Sequence, residues 1–140
     1  MRAIQRVSAI GLVSLIAIVG CGDDDDDDDV FESLLSGSYI GTIQDNIAGP
    51  GTLDVDITQS GSSYSGSFFA RYANPGFDNS GTVSGTVSGN EITIIINSAD
   101  PSVCDFIGSG TRRSEDRITG SFQETESCID DVSGTFDISR

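Results

Sequence analysis

One five-residue pattern keeps returning along this chain: an apolar residue, Ser or Thr, Gly, Ser or Thr, then another apolar residue. It reads LSGSY at 35–39, YSGSF at 64–68, VSGTV at 83–87, ITGSF at 118–122 and VSGTF at 132–136, with IGSGT at 107–111 as an out-of-phase cousin. Successive side chains of a strand point to opposite faces, so the pattern puts apolar, Gly and apolar on one face and both hydroxyls on the other. LDVDI (53–57) and EITIII (91–96) alternate in the same way, and no helical stripe follows residue 35. The alternation predicts an all-β domain of eight strands, at about 37–44, 51–58, 63–72, 81–87, 91–97, 104–112, 117–124 and 133–139.

The predicted inward set is Tyr39, Ile43, Leu53, Val55, Ile57, Tyr64, Phe68, Val83, Val87, Ile92, Ile94, Ile96, Phe106, Ile118, Phe122, Phe136 and Ile138. Gly37, Gly66, Gly85, Gly120 and Gly134 fall mid-strand on that same face, where Gly marks a sharp bend or a close approach. Such glycines suit a small, strongly coiled sheet. The expected architecture is therefore an eight-stranded antiparallel up-and-down barrel, with an eight-stranded sandwich as the alternative. Connections at 45–50, 73–80, 98–103 and 125–132 read as long, and those at 59–62, 88–90 and 113–116 as tight. In a meander the long ones gather at one open mouth and the tight ones close the other end, where both ends of the barrel also lie.

Ahead of this domain, Arg2 and Arg6 precede a 13-residue apolar run, Val7–Val19. A bilayer-spanning helix needs about 20 residues, so the run reads as the core of a secretory signal segment. It ends in Ile18-Val19-Gly20-Cys21, which resembles the lipobox of bacterial lipoproteins. The resemblance implies that residues 1–20 are a removable signal peptide and that Cys21 carries acyl chains, palmitate among them. Membrane anchoring through that lipid and a cell-envelope location follow. The outer membrane is the expected site, with exposure at the cell surface as a further option. Seven aspartates, Asp23 to Asp29, come next. Like charges repel, so residues 21–35 are expected to form an extended acidic tether. An acidic run after the lipidated Cys also resembles a surface-export tag of some Gram-negative bacteria. Residues 36–140 are left for the barrel.

With Cys21 assigned to lipid, Cys104 and Cys128 remain. An exported compartment is oxidising, and the two flank the turn-like segment Arg112–Arg117. They are expected to form a disulfide that contributes about 3 kcal/mol through its loop.

Net charge is −15, from 22 acids against 7 arginines, with no Lys and no His. So acidic a chain is a poor partner for phosphate backbones, and nucleic acid is excluded as a partner. Without His, a Ser-His-Asp set cannot form, and the usual general base is missing. Asp54 and Asp56 point outward two residues apart, which is no catalytic pair. Asp130 and Asp131 with Glu126 offer oxygen ligands for Ca²⁺, but nothing fixes their geometry. No enzymatic activity, cofactor or metal site is expected. The acids Asp45, Asp78, Asp100, Asp105, Glu124, Glu126, Asp130 and Asp131 map to the mouth, where Arg71 is the lone cation. Arg112, Arg113, Arg117 and Arg140 map to the closed end. Such a surface serves solubility in the plainest reading; in a sharper one the arginines lean toward anionic headgroups and the acidic mouth prefers cationic ligands or Ca²⁺.

The opening Gly37-Ser38-Tyr39 of the first strand, the terminal Arg140 and the loop asymmetry resemble the calycin barrels, lipocalins and avidins. There a Gly-x-Trp opens strand 1, and in lipocalins an Arg near the last strand packs across the Trp. Tyr39 stands in the Trp position here. The resemblance implies a binding module for a small hydrophobic or amphipathic ligand, with Tyr64, Phe68, Tyr72 and Phe106 as candidate ligand-binding residues. Small barrels usually fill their interior, and by that rule the same residues pack against one another. A filled barrel would instead act as a structural or adhesion-type lipoprotein, contacting protein partners through its long loops and through Ile47, Phe77 and Ile129.

Overall fold

The computed structural model describes residues 34–125, 128 and 130–140. The expected signal segment, Cys21, the aspartate run, Glu126 and Ile129 lie outside the described residues. The strands are β1 (Gly37–Asp45), β2 (Gly49–Ser60), β3 (Ser63–Tyr72), β4 (Asn79–Ser88), β5 (Glu91–Ser98), β6 (Phe106–Ser114), β7 (Arg117–Glu124) and β8 (Ser133–Ser139). Each pairs antiparallel with the next, and β1 also pairs with β8, so the ladder closes into an up-and-down barrel. A sandwich would split this ladder into two sheets. Closure also removes every exposed strand edge.

The core is the predicted inward face. Tyr39, Ile43, Leu53, Val55, Ile57, Tyr64, Val83, Ile92, Ile94, Phe106, Ile118, Phe122 and Ile138 are buried, and Phe68, Val87, Ile96 and Phe136 pack against them. Leu35, reckoned above to the tether, is fully buried as well. It shares phase with Tyr39, and its carbonyl accepts the Tyr39 hydroxyl at 2.7 Å. The barrel therefore begins one residue earlier than the expected boundary.

The register explains the inner glycines. Tyr64 lies opposite Gly85, Tyr72 opposite Gly51, Phe136 opposite Gly120, and Phe122 opposite both Gly108 and Gly134. A Cβ at Gly120 would sit 2.6 Å from Cζ of Phe136, and one at Gly134 would sit 2.6 Å from Cζ of Phe122. Each ring lies over the bare backbone of a neighbouring strand, against the wall. Rings held there do not fill the axis.

The closed end is built from two-residue turns at 61–62, 89–90 and 115–116. Gly61 and Gly89 take φ of 62° and 61° at the first loop position, a conformation that suits Gly and the tight hairpin. Arg140 ties this end together. Its Nη1 donates to the carbonyls of Leu34 (3.1 Å) and Ser36 (2.7 Å), its Nη2 to that of Glu115 (2.9 Å), and its Nε to Asp116 (3.0 Å). The guanidinium carbon also stands 5.6 Å from the centre of the Tyr39 ring.

The four closed-end arginines are not an array of outward cations. Arg112 is only 4% exposed, with Nη2 donating to the Glu115 carbonyl. Arg117 pairs with Asp137 at 2.7 Å on the outer wall, and Arg113 donates to Thr119. Inward phase puts Arg112 in the barrel, and local partners take up Arg117 and Arg140.

At the mouth, three connections are long: 73–78, 99–105 and 125–132. The fourth, expected over 45–50, is a three-residue turn at 46–48. Asp45 makes it short, because its inward carboxylate accepts from the backbone N–H of Ile47 (2.7 Å) and Ala48 (2.9 Å). Strand β6 starts two residues later than the pattern suggests, because Asp105 accepts from the Ser98 N–H and so belongs to the loop. At its far end β6 runs on through a register shift between Arg112 and Ser114. Cys104 and Cys128 are disulfide-bonded, with Cα atoms 6.3 Å apart. The bond joins the loops on either side of the β6–β7 hairpin, at the mouth.

Candidate functional site

The barrel is not filled. A cavity of about 520 Å³ runs from the mouth toward the closed end. Its floor is Leu35 with Ile118 and Ile138, and its middle wall is Val55, Ile57, Val83, Ile92 and Ile94. All four candidate ligand-binding residues, Tyr64, Phe68, Tyr72 and Phe106, line it. The packing rule fails because the rings lie against the glycines. Ala70, small and 3% exposed, leaves further room on β3.

The deep polar groups are satisfied within the wall. The Tyr64 hydroxyl donates to the Thr93 carbonyl at 2.7 Å, and burial pushes its phenol well above the ordinary value. Phe106 and Phe122 meet edge to face, with ring centres 5.7 Å apart. Tyr39 and Arg112 are not part of the cavity wall, so the interior surface is apolar to its floor.

The rim differs in character. Asp45, Asp78, Glu124 and Asp130 are in the lining, whereas no arginine among the described residues is. Arg71, expected as the mouth's cation, lies on the outer wall, 3.1 Å from Asp54 and 4.5 Å from the centre of the Phe69 ring. Asp45 is 7% exposed, and both of its hydrogen bonds reach Oδ1. Oε2 of Glu124 is buried with no hydrogen-bond partner among the described residues. Tyr72 also lines the rim, its phenol pushed up to about 12, first by burial and then by the charges of Asp45 and Asp78. Asp78 also accepts the Tyr72 N–H at 2.8 Å. Asp100, outside the lining, is held below the ordinary carboxylate value by hydrogen bonds from Ser102.

A cavity this size, apolar inside with few polar groups at one end, is the usual form of a small-molecule site. Ile47 and Phe77 border its opening and are 50% and 44% exposed. The two lining residues missed in sequence, Leu35 and Ala70, share one signal: each stands in phase with an inward residue already identified, Tyr39 and Phe68. Asp45 and Glu124, already mapped to the mouth, are likewise in phase with Ile43 and Phe122.

Comparison with known proteins adds the fold alone. No protein-family model matches the chain, and no curated protein does. A solved structure of a redesigned β-barrel matches over 76% of this chain and 90% of its own, with a TM-score of 0.60 and 13% sequence identity.

Proposed function

We propose that this protein is a lipid-anchored envelope lipoprotein whose barrel binds a small apolar or amphipathic ligand in its mouth. The observation that carries the reading is the 520 Å³ cavity lined by Tyr64, Phe68, Tyr72 and Phe106. The calycin likeness is supported by Arg140 standing over Tyr39 at the closed end. The proposed anchor is acylated Cys21, reached through the acidic tether and placed at the outer membrane. Leu34 and Leu35 lie at the closed end, bonded to Arg140 and to Gln59, so a tether arriving there would turn the mouth away from the bilayer. The protein is a binding module in this reading, with no catalytic step assigned.

Native mass spectrometry of the domain 34–140 tests it, since all eight strands close within that range. A co-purifying small molecule that is lost on mild activation is expected. Failure to retain or take up any apolar compound would reject the ligand reading. Labelling with a palmitate analogue that persists in Cys21→Ser would reject the anchor.

A second reading rests on Ile47 and Phe77, two large apolar side chains exposed beside the opening. They would suit a protein partner at the mouth. Under that reading the cavity stays empty when the domain is bound to its partner.

A further inference from the structure

Taking the cavity as a ligand site, we infer that its ligand is an amphipathic cation, an apolar body carrying an amine, guanidinium or quaternary ammonium head that stops at the rim. The inference rests on the proposed ligand reading and adds the charge and the orientation of the ligand.

The two ends of the cavity dictate the orientation. The floor and wall are aliphatic and aromatic, and the nearest wall hydroxyl, that of Tyr64, is already engaged by Thr93. A charged head in the interior would lose its water without finding a partner. The head therefore belongs at the mouth. There Asp45, Asp78, Glu124 and Asp130 converge from four different elements or loops, and no arginine lines the same space among the described residues.

These acids do more than decorate the surface. Asp45 is 93% removed from solvent, with Oδ1 taking two backbone N–H groups and Oδ2 taking none among the described residues. Glu124 is in the lining as well, and its Oε2 is buried with no hydrogen-bond partner among the described residues, in a carboxylate that lies within 4.8 Å of the Cys104 and Cys128 sulfurs. A carboxylate oxygen at the rim that takes no donor from the protein is free to accept one from an ammonium or guanidinium head, in a charge-assisted hydrogen bond. Tyr72, in the same lining and with its N–H bonded to Asp78, adds an aromatic face at the rim, which favours a cation again. An anionic amphiphile of equal length would meet four like charges at the only place its head could stay wet.

Isothermal titration calorimetry on the domain 34–140 can test this with three probes of one chain length: dodecyltrimethylammonium, dodecanol and dodecanoate, each below its micelle concentration. The cation is expected to bind at least about tenfold more tightly than the anion at neutral pH and low salt, a gap of about 1.4 kcal/mol. Asp45→Asn with Glu124→Gln should bring the two within about twofold while leaving dodecanol unchanged, because both amides keep the local acceptors and the cavity volume. Asp100→Asn with Asp131→Asn, outside the lining, should preserve the preference. Equal or tighter binding of dodecanoate, or a preference that survives the Asp45/Glu124 pair, would overturn the inference and leave the cavity as a ligand site. Binding of none of the three probes would overturn the cavity reading and this inference with it.

Discussion

Single side chains decide the closed end, and Arg140 is the clearest case. It stands just past β8, and its guanidinium joins the approach to β1, the β6–β7 turn and the Tyr39 ring. Planar geometry lets one group serve all of these partners, which an ammonium could not do. Arg140→Ala should cost about 2 kcal/mol of unfolding free energy, since charge-assisted hydrogen bonds and a ring contact are lost together. Arg140→Lys should recover less than half of that, whereas Arg113→Ala, with a single bond to Thr119, should stay within about 0.5 kcal/mol of the parent. Urea titrations of the three variants check the order. The tyrosines set the alkaline limit. Tyr39, Tyr64 and Tyr72 all have raised values, chiefly through burial, so the folded state holds these protons more tightly than the unfolded chain. Their contribution is complete below the ordinary tyrosine value of 10.0 and is lost as pH rises toward about 12, where Tyr72 ionises in the fold. These are the only tyrosines and there is no Trp, so tyrosinate absorbance should lag behind the ordinary tyrosine transition for as long as the barrel is folded. Separate ionisation of one tyrosine near its ordinary value, with the fold intact, would contradict its burial.

Between strands, the recurring unit is a ring facing a glycine. The period-two pattern made the inward face legible, because alternation alone assigns Tyr64, Phe122 and Gly134 to it, and the strand limits follow to within two residues. It also held the clue to Arg112, whose phase with Phe106 turns it inward. What alternation cannot supply is the cross-strand partner. That Phe122 meets Gly108 on one side and Gly134 on the other depends on the inter-strand register, and with it whether the rings fill the barrel or hug its wall. The same limit explains the 45–50 connection, shortened by two N–H groups on Asp45 that no composition signal marks. The ring–glycine contact is itself testable. A Cβ at Gly134 would press on the Phe122 ring and on the Gln44 carbonyl, and the carbonyl belongs to the backbone and cannot simply rotate away. Gly134→Ala should therefore destabilise by about 2 kcal/mol, within the range for overpacked sites, and thermal melts would show it. A neutral outcome would mean that β1 and β8 part easily at that point.

At the scale of the molecule, the barrel joins a continuous ladder to an unfilled interior, and those two properties pull stability in opposite directions. Closure pairs every strand on both sides, and the Cys104–Cys128 bond fixes the loops at the mouth, worth about 3 kcal/mol for a loop of this length. The open interior gives up contacts that a packed core would make. Eight alternating strands could be read in the chain, but the balance between filled and hollow could not, because it rests on the volumes left between rings and wall. Ala70 offers a direct measurement of that balance. It is 3% exposed, faces the cavity from β3, and lies beside Leu53 in the register. In a packed barrel, Ala70→Leu would force its neighbours apart and destabilise by roughly 1–3 kcal/mol. In a hollow one the added methyl and methylene groups enter free space, and the variant should be more stable by about 1 kcal/mol. The sign of the change in melting temperature therefore distinguishes the two interiors. The same substitution narrows the space between Tyr72 and Phe68, so it should weaken binding of an apolar probe such as dodecanol as it raises stability. A barrel selected for its cavity should show that trade, and one that is merely underpacked should gain stability with no binding to lose.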